Sequence, residues 1–267
     1  MIGVIFNTVD EYAMCCVERL SDELKETIKE NLSLICHGAQ KVSRGKEMYK
    51  YGETIKGFWE RYSSKPANTK TGMLGELLAH VIILKFFPDF EVASAFFNLE
   101  ERSIKKGFDL ILFKPKSKNV WITEVKSGQL HASGTSCTTT TDLLSTARDD
   151  LKRRLSEQQS NHWLNAVNTA NAAILNKSNY KDLVIDILED EGALVAKKSA
   201  TCKDNNVFLV SALFHDISQK IKEPTILQFS KNLSKAAHFK STFVLSLHKG
   251  TLKKLEAFMK KEAKLYA

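Results

Sequence analysis

The sequence predicts an α/β protein, because helical and strand-like apolar patterns alternate along its 267 residues. With 43% hydrophobic and 26% charged residues, the chain can bury a sizeable core. Strand-like runs are concentrated between residues 91 and 126, and a helical segment precedes them in the sequence. We expect an N-terminal helical cap or extension over residues 1–70, and a core over residues 71–267 that ends in strand and helix elaborations.

Composition narrows the function classes. Lys and Arg number 39 against 31 Asp and Glu, and the resulting net charge of +8 favours a polyanionic partner without naming it. The five Cys form no CxxC pair, which suits a reducing compartment, so we expect a cytoplasmic protein. The sequence has no secretory leader and no long uncharged apolar run, so no membrane association is expected. Walker, G-x-S-x-G and H-E-x-x-H motifs are missing, which argues against ATP-driven motors, serine hydrolases and metalloproteases.

The first helix is predicted from apolar residues at helical spacing, with Ser21 and Asp22 as cap candidates before Leu24, Ile28, Leu32 and Ile35. Residues 38–70 interleave Lys with aromatic residues, a pattern that suits either nucleic-acid contact or a helical cap whose aromatics face the core. We favour the cap and place no site there. Residues 63–66, ending in Pro66, break the helix.

Residues 71–87 are apolar on nearly every side and Pro88 follows, which predicts a buried helix. Glu76 lies on this helix among apolar residues, where an ionised carboxylate needs a positive partner such as a cation. The alternative is that Glu76 lies in the first helical turn, where a carboxylate favours the helix dipole.

Three strand-like runs follow at residues 91–97, 107–113 and 119–126, the last two joined by a hairpin turn over residues 114–119. In the second run, alternation places Asp109 on one face with Ile111 and Phe113, opposite Phe108, Leu110 and Leu112. An acid is disfavoured in such a strand, so Asp109 either serves function or reaches water at a sheet edge.

In the third run, Val120, Ile122, Glu124 and Lys126 share a face, opposite Trp121, Thr123 and Val125. The side chains of Glu124 and Lys126 leave the strand about 6.6 Å apart, close enough to reach one small reactive centre. An ordinary salt bridge is the alternative.

Taken together, GELLAH around Glu76, GFDLIL around Asp109 and EVKSG from Glu124 resemble the PD-(D/E)xK nuclease superfamily in its helix, strand, strand order. The resemblance covers residues 71 to about 130 and implies a restriction-endonuclease-like central mixed sheet flanked by helices. The longer segments TKTGMLGELLAH, GFDLILF and ITEVKSG are also similar to the HamA and AbpA group of bacterial antiphage proteins. This closer resemblance implies a nuclease effector that works beside a separately encoded helicase.

The superfamily resemblance implies that Glu76, Asp109, Glu124 and Lys126 are catalytic. Asp109 and Glu124 would hold Mg²⁺, for which Mn²⁺ would substitute, with the Val125 carbonyl as a further ligand and Glu76 as a direct or water-mediated one. Lys126 would either help to deprotonate the attacking water or stabilise the phosphorane.

Beyond Gly128, residues 129–142 predict a polar loop near the active edge, with Asp142 as a helix cap and His131 as either a second proton carrier or part of a mobile loop. The following helix, residues 142–159, has an apolar stripe of Leu143, Leu144, Ala147, Leu151 and Leu155. Arg148 and Lys152 lie on other faces and are candidates for DNA-backbone contact. The alternative is surface pairing of Asp149 with Arg153 and of Asp150 with Arg154, which explains most of this charge.

The last third predicts a helix over residues 161–180, strands over 183–188, 207–214 and 242–247, and a basic amphipathic helix from residue 251. Residues 207–214 suit the inner fourth strand because their apolar character is unbroken.

Two hypotheses follow for function. The first is a Mg²⁺-dependent DNA endonuclease or nickase that acts as an antiphage effector with a helicase partner. The second is a nucleic-acid-binding or helicase-regulating subunit that keeps the nuclease fold without cutting. An intact Lys126 favours the first, since a non-cleaving protein is free to lose it. Oligomeric state, and DNA against RNA, stay open.

Overall fold

The computed structural model of the protein describes residues 1–96, 107–156, 161–250 and 252–267. These residues form one seven-stranded mixed sheet with helices on both faces, which confirms the predicted α/β class. The strands are β1 (Val4–Val9), β2 (Tyr12–Val17), β3 (Glu91–Val92), β4 (Leu110–Lys114), β5 (Asn119–Gln129), β6 (Asn206–Phe214) and β7 (Ser241–Lys249).

The sheet order is β1-β2-β7-β6-β5-β4-β3. Strands β2, β7, β6 and β5 run parallel to one another, and the β1/β2, β4/β5 and β3/β4 pairs are antiparallel. The predicted hairpin joins β4 to β5, with Lys114 opposite Asn119. The predicted fourth strand is β6, which is buried along its whole length between β5 and β7. Its position explains its unbroken apolar sequence, because an inner parallel strand is covered on both faces.

The helices are α1 (Asp22–His37), α2 (Ala39–Val42), α3 (Tyr51–Ser63), α4 (Ala67–Phe86), α5 (Ser136–Ser156), α6 (Asn161–Ala173), α7 (Lys181–Ala196), α8 (Glu223–Ala236) and α9 (Leu252–Leu265). Buried residues of α1, α3, α4 and α9 form one apolar cluster with one face of the sheet. Those of α5, α6, α7 and α8 form a second cluster with the other face. We call these the α4 face and the α5 face.

The predictions for the helical segment before the core are confirmed locally. The Ser21 hydroxyl caps α1 by accepting from the Leu24 N–H at 3.3 Å, and α3 and α4 are separated at residues 64–66. Phe58 and Tyr62 of α3 are fully buried, and Tyr51 and Trp59 pack partly buried against the same apolar cluster, so these four aromatic residues face the core, as the cap interpretation predicts. Helix α4 is buried along most of its length, as its apolar sequence predicts.

An N-terminal hairpin precedes these helices and was not predicted. Strands β1 and β2 are joined by the two residues Asp10 and Glu11, because Val9 pairs with Tyr12. Strand β2 then pairs in parallel with β7, so the hairpin extends the central sheet. The β-branched and aromatic residues of VIFNTV are a local pattern that indicates a strand, but the loop residues Asp10 and Glu11 are not one of the common hairpin-turn pairs. The division into a cap at residues 1–70 and a core at 71–267 stays a prediction.

Several other local predictions are wrong or incomplete. Only Glu91–Val92 of the run 91–97 is a strand, and residue 97 lies outside the described residues. Residues 183–188 are helical within α7, whose buried Val184 and Leu188 are one turn apart, because packing of this stripe outweighs a short β-branched run. Helix α8 was not predicted at all. Helix α5 begins at Ser136, so Asp142 is inside the helix and the loop is shorter than expected.

Within the described ranges no helix is long and apolar enough to cross a membrane. All five cysteines are free thiols.

Candidate active site

The site is built around Glu124 and Lys126 on β5, whose side chains both point to the α5 face, as alternation predicts. Glu124 is fully buried, and its Oε1 accepts a hydrogen bond from the Lys126 Nζ at 2.7 Å. The predicted shared face is therefore confirmed, and the two groups form an ion pair along a single strand. Since a buried carboxylate is costly without a cation, this pairing offsets part of the cost of burying Glu124.

Helix α5 contributes two further charged groups, Asp150 and Arg154, which the sequence pattern pairs with each other on the helix surface. The Arg154 Nη1 lies 2.9 Å from the Glu124 Oε2, and the Lys126 Nζ lies 2.6 Å from the Asp150 Oδ2. The expected pairing of Asp150 with Arg154 is wrong, because Asp150 pairs with Lys126 and Arg153. Asp149, expected to pair with Arg153, is bound by Arg148.

The pattern in α5 could have indicated this arrangement. Asp150 and Arg154 are one turn apart, and each directly precedes a residue of the buried stripe, Leu151 and Leu155. They therefore border the buried surface of the helix rather than lie on its solvent side. What the sequence could not show is which strand residues that border meets.

Asp109 is brought to the same centre through the backbone of β5. Its Oδ2 accepts a hydrogen bond from the Val125 N–H at 2.8 Å. The β4/β5 register, with Leu110 opposite Thr123, places Asp109 opposite Glu124, one residue before β4 begins. Strand β4 as a whole is not an edge strand, because it lies between β3 and β5. However, β3 pairs with Leu112 and Phe113, whereas Asp109 precedes β4 and is half-buried, so its carboxylate is partly accessible to water, as the alternative interpretation expects. The predicted alternation also fails before Leu110, since Phe108 packs in the same cluster as Ile111 and Phe113.

The electrostatics follow from burial and mutual proximity. Burial and the nearby Asp109 raise the pKa of Glu124 above its ordinary value, against the opposing effects of Arg154 and Lys126. Burial lowers the pKa of Lys126. The carboxylates of Glu124, Asp150 and Asp109 together raise it by more than burial lowers it, so the pKa is above its ordinary value. Burial raises the pKa of Asp150, but Lys126 and Arg153 lower it more. The centre is thus a close network of both charge signs.

Glu76 lies on α4, across the sheet from this network. It is the tenth residue of the helix and half-buried, so the first-turn interpretation is wrong. The helix packs very close to β5, since a Cβ added at the neighbouring Gly75 would lie 1.8 Å from the Ser127 Oγ and 2.6 Å from its Cβ. The glycine in GELLAH is therefore a steric requirement for placing α4 on the strand that carries the site.

The described residues are compatible with a divalent cation at Asp109 and Glu124. Carboxylate oxygens are the ligands that Mg²⁺ prefers, and Mg²⁺ keeps several waters, so two carboxylates suffice to hold it. The repulsion through which Asp109 raises the pKa of Glu124 is one that a cation between them would relieve. Among the residues that the structure describes, no three His, Cys, Asp or Glu side chains group closely enough to hold a metal ion. Ligation by Glu76, or by the Val125 carbonyl, stays a prediction.

The remaining candidates lie along α5. Arg148 is held by Asp149 through two hydrogen bonds, of 2.8 and 3.0 Å, and Lys152 is exposed. Contact of either with nucleic acid stays a prediction. His131 is exposed, and its Nδ1 lies 3.4 Å from the Asp142 Oδ2 on the first turns of α5. This geometry gives no evidence that His131 carries a proton for the site.

The fold and site define an α/β protein that carries a glutamate and a lysine on an inner strand. A second acid lies one residue before the strand that forms a hairpin with it. The HamA family model matches residues 9–263, so the chain belongs to the HamA family. No curated protein matches the sequence.

Proposed function

We propose that this protein is a metal-dependent nuclease that hydrolyses DNA phosphodiester bonds as the effector of an antiphage defence system. Membership of the HamA family supports the defence role. The observation that carries the nuclease proposal is the buried Glu124 paired with Lys126 beside Asp109. A fully buried carboxylate with a second acid nearby is expensive to keep for stability alone.

In this proposal Asp109 and Glu124 hold the cation, which would activate water and neutralise charge on the phosphate when bound. Lys126 is kept in place by Glu124 and Asp150 and supplies positive charge next to the reacting phosphate. The hydrogen bond from Val125 N–H fixes the Asp109 carboxylate. Arg154 orients the Glu124 carboxylate by donating a hydrogen bond to Oε2, the oxygen that Lys126 does not bind.

A second candidate function is supported by one feature of the same network. Both oxygens of Glu124 are already bound by cationic side chains, Lys126 on one side and Arg154 on the other. Such a neutralised centre also suits a non-cleaving subunit that binds nucleic acid or regulates a helicase. In that case the network would serve only the stability of the fold.

The test is cleavage of supercoiled plasmid by the purified protein with Mg²⁺, Mn²⁺ or EDTA, with and without a separately encoded helicase, the partner that the family resemblance implies. We expect metal-dependent conversion to nicked or linear DNA, lost in Glu124→Gln and kept in the exposed control Glu189→Gln. A folded wild-type protein that cuts nothing in any metal, even with the helicase, would contradict the nuclease proposal and favour the binding subunit. A helicase that neither binds the protein nor changes its activity would contradict the partnership.

A further inference from the structure

A separate cavity of about 330 Å³ lies where the N-terminal ends of α5 and α8 meet. Ser136 lines it from the first turn of α5, Lys222 and Thr225 line it from the start of α8, and Lys220 lines it from the segment before α8. The backbone N–H of Lys222 donates to the Cys137 Sγ at 3.3 Å, which joins the two helix starts. The cavity is therefore a built feature of the fold rather than a gap between two loose ends.

Ser136, which lines this cavity, has a buried hydroxyl group that is unpaired among the described residues. The residue is 3% exposed, and its Oγ has no hydrogen-bond partner within the part of the chain that the structure describes. A buried hydroxyl without a partner is costly, and such groups are rare unless a ligand or water completes them. A serine hydroxyl that lines a cavity can donate to an anionic oxygen.

The two helices add a favourable potential for negative charge. Helix α5 has 21 residues and α8 has 14, and both begin at the cavity. N–H groups at a helix N-terminus attract anions through both their hydrogens and the helix dipole. The residue that precedes α8, Lys222, provides no side-chain cap for its first N–H groups. In α5, Thr135 Oγ1 accepts from the Thr138 N–H at 3.1 Å. In α8, Pro224 has no N–H and the Thr225 N–H donates to the Lys222 carbonyl oxygen at 3.0 Å, so the N–H groups of both ends are partly occupied.

The charged side chains of the lining are basic. Lys220 and Lys222 both line the cavity and are exposed, so their ammonium groups can turn towards a bound anion. The first residue of α8 is Glu223, which lines a neighbouring cavity and accepts a hydrogen bond from the Tyr12 Oη at 2.8 Å. That neighbouring cavity shares Lys220 with this one, and the Glu223 carboxylate in it is engaged by Tyr12.

We infer that this cavity binds a phosphate group, and that it holds a backbone phosphate of the nucleic acid away from the bond that is cut. The second part rests on the proposed function. Ser136 and Asp150 are both on α5, and the rise of 1.5 Å per residue separates them by about 21 Å along the helix. A phosphate held there would fix the strand several nucleotides from Lys126 and Glu124.

The first experiment titrates inorganic phosphate into the full-length protein at constant ionic strength and follows binding by calorimetry. We expect Ser136→Ala to weaken phosphate binding at least threefold, and Lys220→Gln with Lys222→Gln at least tenfold. The matched control is Lys231→Gln with Lys235→Gln, an equal charge change on the exposed side of α8, which should bind as the wild type does. Because the Ser136 hydroxyl has no partner, Ser136→Ala should leave the melting temperature in chloride unchanged or slightly higher.

The second experiment measures binding of a labelled DNA oligonucleotide in EDTA by fluorescence anisotropy over a range of salt concentrations. The Lys220 and Lys222 double variant should bind at least fivefold more weakly. Its salt dependence should also be shallower, with a logarithmic slope reduced by about 0.7–0.9 for each phosphate that the protein no longer neutralises.

Three outcomes decide between the parts of the inference. Phosphate binding equal to wild type in all pocket variants would overturn it. Weakened phosphate binding with unchanged oligonucleotide binding would overturn its second part and assign the cavity to free phosphate. A protein that never cleaves, yet loses DNA binding in the pocket variants, would refute the proposed nuclease and support the pocket.

Discussion

The two faces of β5 bury different kinds of group, although they belong to one strand. On the α4 face, Val125 lies in an apolar cluster and Ser127 lies against Gly75 with no room for a methyl group. On the α5 face, Glu124 and Lys126 are held by ion pairs with Arg154 and Asp150. The α4 face is thus determined by shape and the α5 face by charge pairing. Substitutions on the two faces should therefore act through different physical mechanisms.

The largest expected effect is on activity and comes from the α5 face. In the proposed nuclease, Lys126→Gln removes the cation that would lie next to the reacting phosphate, while keeping a hydrogen-bonding side chain of similar length. We expect cleavage of plasmid DNA to fall by about 10²–10⁴-fold. The control Lys197→Gln changes an exposed lysine of the same charge and should cleave as the wild type does. Full cleavage by a folded Lys126→Gln protein would show that the pair has only a structural role.

The next largest expected effect is on the free energy of unfolding, which should fall more for a substitution on the α5 face than for one on the α4 face. Glu124→Ala leaves Lys126 and Arg154 without the carboxylate between them, so we expect the free energy of unfolding to fall by about 3–5 kcal/mol. Val125→Ala, on the other face of the same strand, removes only buried methyl groups and should cost about 1–3 kcal/mol. Urea unfolding of both variants measures the difference. A smaller loss for Glu124→Ala than for Val125→Ala would show that the ion pairs contribute little in solution.

Helix α4 offers a test of shape in which two glycines should respond with opposite signs. Gly75→Ala should destabilise the protein by about 1–3 kcal/mol, because the new methyl group meets Ser127. Gly72→Ala in the same helix meets no atom within 4 Å and should stabilise it by about 0.5–1 kcal/mol through helix propensity. Thermal unfolding measures both.

A double variant isolates the contact itself. Gly75→Ala combined with Ser127→Gly removes the clashing atoms, and its loss should be smaller than the sum of the two single losses. Strict additivity would contradict the close approach of α4 to β5.

The last expected effect is a pH dependence of stability from the helices of the α4 face. Burial, together with the nearby Lys41 and Arg61, lowers the pKa of His37, at the end of α1, from 6.5 to about 4. The unfolded chain therefore takes up its proton first as the pH falls. The stability is complete above pH 6.5 and declines between 6.5 and about 4, where the folded form is protonated as well.

Since His37 is only partly buried, we expect the decline to be about 1–2 kcal/mol at most. Urea unfolding of the wild type and His37→Gln at several pH values measures this contribution as the difference between the two curves. Parallel curves between pH 6.5 and 4 would show that His37 titrates normally in the folded protein.

Much of the sheet and its cover was predictable because the relevant information is local. The apolar run of α4, the alternation in β5 and the unbroken apolar sequence of β6 each follow from the burial of consecutive residues. Where a segment's neighbours decide its conformation, prediction failed. Residues 183–188 are helical within α7, and the β1/β2 hairpin depends on pairing with β7, more than 220 residues away in sequence.

The candidate site divides in the same way. Placing Glu124 and Lys126 on one face of a strand required only the two-residue period of β-structure, and Asp109 followed from the hairpin that joins β4 to β5. Asp150 and Arg154 could not be assigned from sequence, because their partners depend on how α5 crosses the sheet. Likewise, Lys222 and Ser136 are 86 positions apart and meet only because two helices begin at the same place. Local periodicity depends only on neighbouring residues, whereas the partner of a charged side chain depends on how distant segments pack together.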